Sequence, residues 1–374
     1  MNFRELIMRT FQRKKIDRIV WQPRIRYWYT GNQVNKRPEE IRQGELPYPE
    51  VPAEYRGKTV LQVYDLLRAS PRYPGEVLDI GLFRTRIDPD AGIKHVHFDE
   101  GGERITITET PVGKLRSKTR GGYPTEFPLK TPQDCKVMEY VLKHTEFQFD
   151  DEAYSKAEAA FGDRGVVQSF YSRSPFQKMI VEYMGARNFF IQLHRHQAEI
   201  EGFMDSIAEW DDGMYEVLVR CPLKILNFGE NIDANLASPK FFQRYLVPYY
   251  ERRVKQLHRV GKFCHIHIDG AMKPLLPLLS QLEFDGIEAA TPKPQGDVEI
   301  DELRRAMGDK ILLDGIPAVM FIPVYTDKQT RDFALRVLEA FSPNLILGVS
   351  DELPPTADIR KMELVSKLAE DFEP

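Results

Sequence analysis

The sequence predicts an α/β protein, a (β/α)8 barrel with an N-terminal extension and an inserted antiparallel β-hairpin. Short apolar stretches alternate with helical stretches from about residue 130 onward, and repeated β–α units build a parallel sheet. These strands, with one or two near the N-terminus, approach the eight of a barrel, which typically takes about 250 residues. The 374 residues leave room for the additions, so we expect a single domain over 1–374. A doubly wound open sheet is the alternative, but no G-x-G-x-x-G follows a strand.

The N-terminal part of the chain predicts the extension and the start of the barrel. Asn2 is a suitable N-cap for a helix whose apolar side reaches Phe11. Ile19–Trp21 is a short apolar strand. The segment from about 36 to 57 is polar and rich in Pro and Glu, which predicts a surface excursion. Apolar residues at helical spacing over 58–70 predict a second helix.

The segment from about 94 to 120 has a different periodicity. His95–Phe98 and Arg104–Thr108 alternate with a period of two on either side of Gly101-Gly102. That pattern predicts a β-hairpin, which we interpret as an antiparallel insertion outside the main sheet. The hairpin offers an edge to which a partner or another copy of the chain could pair.

The strands predicted for the barrel are short and apolar. They comprise Val166–Phe170, Lys224–Phe228, Lys262–Ile266, Gly286–Ala290, Lys310–Leu313 and Asn344–Leu347. The helical stretches that separate them include 239–260, 272–282, 299–307 and 327–341. Because the chemistry of such a barrel gathers at the carboxyl ends of its strands, the residues that follow each strand are the candidates for function.

Composition excludes several classes of protein. Lys and Arg number 52 and Asp and Glu number 56, a net charge of −4, which argues against a general electrostatic grip on nucleic acid. The three cysteines, Cys135, Cys221 and Cys264, form no C-x-x-C pair, so a disulfide framework or a thiolate zinc finger is not expected. A reducing, cytoplasmic location is expected, since neither a signal peptide nor a membrane-spanning apolar stretch is evident.

Acidic residues and an imidazole follow the predicted strands. They are Glu230, His267, Asp269, Glu288, Asp314, Asp351 and Glu352. Carboxylates clustered at one end of a barrel repel one another unless a cation or a function offsets the repulsion. Their accumulation predicts a functional rim.

The pair His267-x-Asp269 predicts a metal site at this rim. Strand side chains repeat every second residue, so both point to the same side. With Glu230 and either Asp351 or Glu352 they would complete a site of three or four ligands, suited to zinc or a harder divalent ion. A hydrogen-bonded rim of carboxylates and imidazole is an equal alternative.

A segment rich in aromatic residues and arginine follows the first strand and predicts a substrate pocket. An aromatic wall with a guanidinium fork would suit an aromatic carboxylic acid. The alternative is packing at the bottom of the barrel with a surface ion pair. The predicted substrate-binding residues are Trp21, Arg24, Arg26, Tyr27 and Trp28, together with Tyr171 after a later strand.

Several motifs in chain order resemble the uroporphyrinogen decarboxylase superfamily, which includes cobalamin-dependent methyltransferases. The matching segments are Ile16–Trp21, Thr110–Gly113, Phe228–Asn231, Ala237–Phe242, Gly261-Lys262, His267–Gly270 and Gly348–Pro355. The resemblance implies a TIM barrel. In the methyltransferase branch it implies a zinc ion held by a His-x-Cys pair and a later Cys. Here His267 matches the histidine, whereas Asp269 and Ser350–Glu352 stand where the thiolates would be.

Carboxylate and imidazole donate less electron density to zinc than thiolates do, which leaves a stronger Lewis acid. Together with the resemblance, this predicts a corrinoid-dependent methyltransferase, the demethylating component of an O-demethylase. A methyl group would pass from an O-methylated, preferably methoxy-aromatic, substrate to the cobalamin of a separate corrinoid protein. A zinc ion on oxygen and nitrogen ligands would polarise the substrate oxygen. The expected catalytic residues are His267, Glu230 and Asp269. Alternatives are a metal-free lyase, similar to the decarboxylases and acting on an acidic substrate, and a non-catalytic binding barrel.

Overall fold

The computed structural model describes residues 1–36 and 49–374. Most of the predicted surface excursion at 36–57 lies outside these residues. Within its described part, Ala53–Tyr55 forms a short 3-10 helix in which Tyr55 is buried, so this end packs into the core.

The contacts divide the chain into two compact units. The first consists of Met1–Leu82, Asp151–Tyr171 and Leu223–Pro374, and the second of Phe83–Asp150 and Ser172–Pro222. The single domain expected over 1–374 stays a prediction.

Strands and helices alternate through the first unit. The strands of the whole chain are β1 (Val20–Trp21), β2 (Phe83–Ile87), β3 (Lys94–Glu100), β4 (Glu103–Thr110), β5 (Gly113–Arg120), β6 (Tyr123–Glu126), β7 (Thr145–Phe149), β8 (Ser169–Tyr171), β9 (Ile225–Phe228), β10 (Phe263–His267), β11 (Gly286–Glu288), β12 (Ile311–Pro317) and β13 (Leu345–Ser350). The α-helices are α1 (Phe3–Phe11), α2 (Arg26–Gly31), α3 (Val60–Leu66), α4 (Pro74–Val77), α5 (Pro132–Lys143), α6 (Asp151–Phe161), α7 (Pro175–Lys178), α8 (Ala186–Arg195), α9 (Gln197–Arg220), α10 (Pro239–Phe241), α11 (Val247–His258), α12 (Leu276–Leu279), α13 (Ile300–Met307), α14 (Asp327–Phe341) and α15 (Ile359–Asp371). Asn2 caps α1 as expected, accepting a hydrogen bond from the Glu5 amide.

Seven parallel strands of the first unit form one curled sheet, in the order β1-β13-β12-β11-β10-β9-β8. The predicted TIM-barrel class is confirmed. All residues of β9, β12 and β13 are buried, which is typical of parallel strands that are covered on both faces.

An irregular segment, Ser70–Tyr73, occupies the position of the eighth strand. The Ser70 amide donates to the Trp21 carbonyl of β1 (2.8 Å), and the Gln168 amide, just before β8, donates to the Arg72 carbonyl (3.2 Å). Gly165 allows this segment to pack closely, because a Cβ at position 165 would lie 2.7 Å from the Ser70 hydroxyl oxygen. The barrel is therefore closed by one backbone hydrogen bond on each side of this segment.

The second unit contains the predicted antiparallel insertion, which has two more strands than expected. Strands β3 to β6 form a four-stranded antiparallel sheet in sequence order, and β2 pairs with β7. Lys178 and Asp211 form a fully buried ion pair (2.7 Å), with the Lys178 ammonium 4.8 Å from the centre of the Trp210 ring. In neither unit is a described helix long and apolar enough to cross a membrane. The cytoplasmic location stays a prediction.

Candidate metal and active site

A buried arginine organises the carboxyl ends of the barrel strands. Arg72 is fully buried; its guanidinium donates to Glu288, to Asp314 Oδ1 (2.9 Å) and to Gln22 Oε1 (2.9 Å). Burial alone would lower the pKa of Arg72, but Asp314 and Glu288 raise it above its ordinary value. At Gly348 a Cβ would clash with the Asp314 carboxylate, so the glycine leaves room for this group. Arg72 thus connects β11, β12 and the residue that follows β1.

Glu288 connects this arginine to His267. Its carboxylate accepts hydrogen bonds from the Tyr73 hydroxyl (2.6 Å), the Asn227 amide and His267 Nδ1 (2.7 Å). Burial opposes ionisation of Glu288, but Arg72 and His267 outweigh it and hold its pKa well below the ordinary value. An ionised Glu288 fixes His267 with the proton on Nδ1, which is the usual support for a metal-binding histidine.

His267 and two carboxylates form a group of three potential metal ligands around Nε2 of the imidazole. Its Nε2 lies 3.7 Å from Asp269 Oδ2 and 3.7 Å from Asp351 Oδ1. One ligand atom from each residue lies within 4.8 Å of the other two. The Asn231 amide donates to Asp269 (2.8 Å) and orients it. Neutral imidazole and two carboxylates fit zinc with an open position, or a harder divalent ion.

The protonation of His267 bears on metal binding. Burial lowers its pKa, but the neighbouring carboxylates of Asp269, Glu288 and Asp351 more than compensate and raise it to about 10. At neutral pH and with no metal bound, the imidazole then carries a second proton, on Nε2. A metal ion would displace that proton, so its affinity would rise with pH.

The remaining predicted ligands are not among these three residues. Glu352 accepts hydrogen bonds from Arg24 Nη2 (2.8 Å) and the Tyr27 amide (3.2 Å). Glu230 is fully buried after β9 and is not among the three residues that converge. Position after a strand therefore predicts the end of the barrel at which a side chain lies, but not the direction in which it points. A ligand role for Glu230 stays a prediction.

Arg24 does not form the predicted fork for a substrate carboxylate. Its guanidinium is buried and binds protein carboxylates instead: Glu76 (2.9 Å from Nε), Asp351 and Glu352. Burial would lower the pKa of Arg24, but Glu76, Asp351 and Glu352 raise it well above its ordinary value. Arg24 is thus placed to fix Asp351 beside His267.

The predicted aromatic wall is not formed. Trp21 and Trp28 are each only 1% exposed and lie in the core, whereas Tyr27 is 59% exposed. Gln22 contacts Arg72 inside the barrel, so the preceding residue, Trp21, is buried but points away from the barrel interior. Because Tyr27 and Trp28 are consecutive in α2, their side chains diverge by about 100°. Arg26 binds Asp79 (2.6 Å) rather than joining Arg24.

Phe170 supplies the aromatic surface that the sequence reasoning did not identify. Its half-buried ring lies 6.1 Å from the His267 ring and 4.0 Å from that of Tyr73, measured between centroids. The predicted residue, Tyr171, packs instead against Phe228 (4.9 Å). Phe170 and Tyr171 are adjacent in β8, so their side chains point to opposite sides of the strand. A shift of one residue in the predicted strand therefore changes which ring is expected to face the site.

Backbone strain also concentrates at these strand ends. Asn231, Ala289 and Asp314 adopt positive φ angles of 54°, 62° and 85°. A left-handed conformation costs a non-glycine residue about 1 kcal/mol or more. Strain of this kind is typical of functional sites, and here it surrounds the group formed by His267, Asp269 and Asp351.

A second group of potential ligands lies at the opposite end of β10. His258, Cys264 and Asp285 also place one ligand atom each within 4.8 Å of the others. Asp285 Oδ2 already accepts a hydrogen bond from the Cys264 amide (2.7 Å) and contacts His258 Nε2 (3.0 Å). Burial raises the pKa of the Cys264 thiol well above its ordinary value, so the thiolate needed by a metal is disfavoured. We interpret this group as structural.

Comparison with known proteins places this geometry in a family. The fold is similar to that of a methyltransferase from Methanosarcina mazei, with 13% sequence identity, a TM-score of 0.59 and coverage of 99% of this chain and 98% of that one. A weaker similarity is to a B12-independent methionine synthase from Shewanella sp. W3-18-1 in complex with selenomethionine, with 13% identity, a TM-score of 0.43 and coverage of 83% and 84%. No curated protein sequence matches the chain significantly. Residues 121–372 match the family model for uroporphyrinogen decarboxylase (URO-D), and because this match spans more than half of the sequence, the chain belongs to the uroporphyrinogen decarboxylase family.

Proposed function

We propose that the protein is a metal-dependent methyltransferase that moves a methyl group from an O-methylated substrate to the cobalamin of a separate corrinoid protein. One observation carries this proposal: His267, Asp269 and Asp351 converge from two distant parts of the chain, with the second nitrogen of His267 held by Glu288. Such an arrangement would hold a metal ion and leave a coordination position for a substrate.

Each neighbouring residue has a role in this proposal. A divalent ion bound there, zinc in the first instance, would supply Lewis-acid polarisation of the ether oxygen and make it a better leaving group. Glu288 orients His267, and Asn231 orients Asp269. The half-buried ring of Phe170 offers a flat apolar surface to a methoxy-aromatic ring.

One predicted residue keeps a role that rests on position alone. Glu230 stays a predicted catalytic residue because its buried carboxylate follows β9 at the same end of the barrel.

The charges around the site favour an uncharged substrate. The carboxylates there outnumber the basic groups, which are Arg24, Arg72 and His267. Those carboxylates belong to Glu76, Asp269, Glu288, Asp314, Asp351 and Glu352. With a divalent ion bound, and with the pKa values of Asp314 and Glu352 raised to about 7 by burial, the charges come close to balance. An anionic substrate would therefore meet no net attraction, and both guanidinium groups already bind protein carboxylates. We therefore favour an uncharged methoxy-aromatic substrate over a methoxy-aromatic acid.

The same electrostatics weigh against the metal-free lyase. A substrate of the acidic kind that such an enzyme would take needs uncommitted basic groups, and Arg24 and Arg72 each bind at least two carboxylates. The non-catalytic barrel is the remaining alternative, and it predicts that His267→Ala leaves ligand affinity almost unchanged.

A reconstituted methyl transfer tests the proposal. Purified protein loaded with zinc is mixed with reduced corrinoid protein and either methoxybenzene or methoxybenzoate, and methylcobalamin formation is followed by its absorbance. We expect transfer from the uncharged ether to be faster. Absence of transfer from a broad panel of methyl ethers, with corrinoid protein shown to be competent, would reject the proposed activity. Faster transfer from the benzoate would reject only the argument from charge.

A further inference from the structure

Strand β3 is an exposed edge of the four-stranded sheet in the second unit. Every residue of Lys94–Glu100 is exposed, including Val96 at 46% and Phe98 at 44%. One side of β3 pairs with β4, and within the described part of the chain no strand pairs with the other side. An exposed edge of this length has a row of unpaired backbone groups that can pair with another chain.

The sequence of β3 is self-complementary about its centre. Reading outward from His97, Val96 is matched by Phe98, His95 by Asp99 and Lys94 by Glu100. When two such strands run antiparallel and are centred on His97, every apolar residue lies opposite an apolar one. Every acidic residue then lies opposite a basic one or a histidine.

We propose that two copies of this chain associate by antiparallel pairing of their β3 strands, centred on His97. The occupant of this edge is then a second copy, and the two four-stranded sheets become one continuous sheet. One face of the new pair carries Val96 and Phe98, flanked by Lys94 and Glu100 of opposite copies. The other face carries His97 beside its symmetry mate, flanked by His95 and Asp99.

Other registers pair these residues less well. Centring the pair on Val96 leaves Asp99 and Glu100 without a partner, and centring it on Phe98 leaves Lys94 without one. Parallel pairing sets each charge against its own copy, which is unfavourable. Within its own sheet, Glu100 lies opposite Glu103, so an incoming Lys94 would offset a repulsion between like charges.

The contact area is small, so the dimer is expected to be reversible. One seven-residue strand pair falls well below a standard stable interface. Each cross-strand charge pair contributes modestly, and the twofold axis repeats every pair. A single charge reversal in β3 therefore changes two pairs from attraction to repulsion, and we expect it to weaken association by roughly 10-fold or more.

Sedimentation velocity over a concentration series tests this interface on the full chain. We expect a monomer–dimer equilibrium that Lys94→Glu and Glu100→Lys each weaken and that the double variant, Lys94→Glu with Glu100→Lys, restores. Lys328→Glu, on the exposed side of α14, is the matched control and should leave association unchanged. Circular dichroism verifies that each variant is folded. A protein that remains monomeric at its solubility limit overturns the proposal, and so does a dimer that neither reversal weakens.

Discussion

The two ends of β10 carry similar groups that are built differently. At the carboxyl end, His267 is held by Glu288 through one nitrogen, and its other nitrogen faces Asp269 and Asp351. At the amino end, His258 contacts the same Asp285 oxygen that accepts the hydrogen bond from the Cys264 amide. Both groups contain three potential ligands within 4.8 Å of one another.

The two groups differ in how the histidine is held. Asp285 is occupied by a backbone amide and an imidazole, so it stabilises the start of the strand. At the other end, Glu288 holds His267 through Nδ1, and Nε2 lies 3.7 Å from one oxygen each of Asp269 and Asp351, which is too long for a normal hydrogen bond. Asn231 and Arg24 hold these two oxygens in place. Residues of the types that bind metals often lie close together in proteins. Metal-binding side chains that neighbouring residues hold by hydrogen bonds, and that are directed at one point, indicate a metal site.

Removal of each histidine should separate the two ends most clearly. We expect His267→Ala to reduce zinc content from about one ion per chain to near zero and to abolish methyl transfer, because it removes the central ligand. His258→Ala should retain both. Plasma mass spectrometry measures the metal, and the methylcobalamin assay measures transfer. His267→Gln guards against a misfolded alanine variant, and equal zinc in wild type and both His267 variants would place the metal elsewhere.

Substitution of the supporting carboxylates should have a smaller effect. Glu288→Gln leaves the three ligands in place but removes the charge that holds His267, so zinc affinity should fall by about 10- to 100-fold. Asp285→Asn at the other end should leave it unchanged. Competition with a chromophoric zinc chelator measures both affinities. A weaker affinity in Asp285→Asn than in Glu288→Gln would contradict the assignment of the two ends.

The smallest effect concerns the stability of the amino end. A hydrogen bond with Asp285 raises the pKa of His258 above its ordinary value of about 6.5. The resulting stabilisation is complete below about pH 6.5 and disappears as the pH rises through the folded-state pKa. His258→Gln should therefore destabilise the protein at about pH 5.5 by less than about 1 kcal/mol, since the side chain is partly exposed, and by still less at about pH 9. Urea unfolding at the two pH values measures this, and a larger loss at the higher pH would reverse the sign.

Local periodicity was sufficient to predict the barrel and the His267–Asp269 pair. Apolar stretches alternating with helices predict parallel strands, and two residues at i and i+2 share a side. Asp351 was predictable because it directly follows the last strand, β13. Each of these inferences depends on residues close together in the chain.

The remaining contacts join distant segments and left no local signal. Arg24 binds Glu76 and Glu352, and nothing in the composition of these segments indicates that they meet. Ser70–Tyr73 contains a proline and has no strand pattern, so the role of Arg72 was missed. Trp21 was assigned to the wrong side because a one-residue uncertainty in a short strand reverses its direction.

The way in which the barrel closes has a consequence for its mechanical behaviour. Ser70–Tyr73 is joined to its neighbours by one backbone hydrogen bond on each side, whereas the guanidinium of Arg72 reaches Gln22, Glu288 and Asp314 across the interior. At this segment the barrel therefore has few backbone hydrogen bonds between neighbours, and side-chain hydrogen bonds across the interior hold it together instead. Glu288 binds both Arg72 and His267. A displacement of Ser70–Tyr73 would therefore change the position of the His267 imidazole.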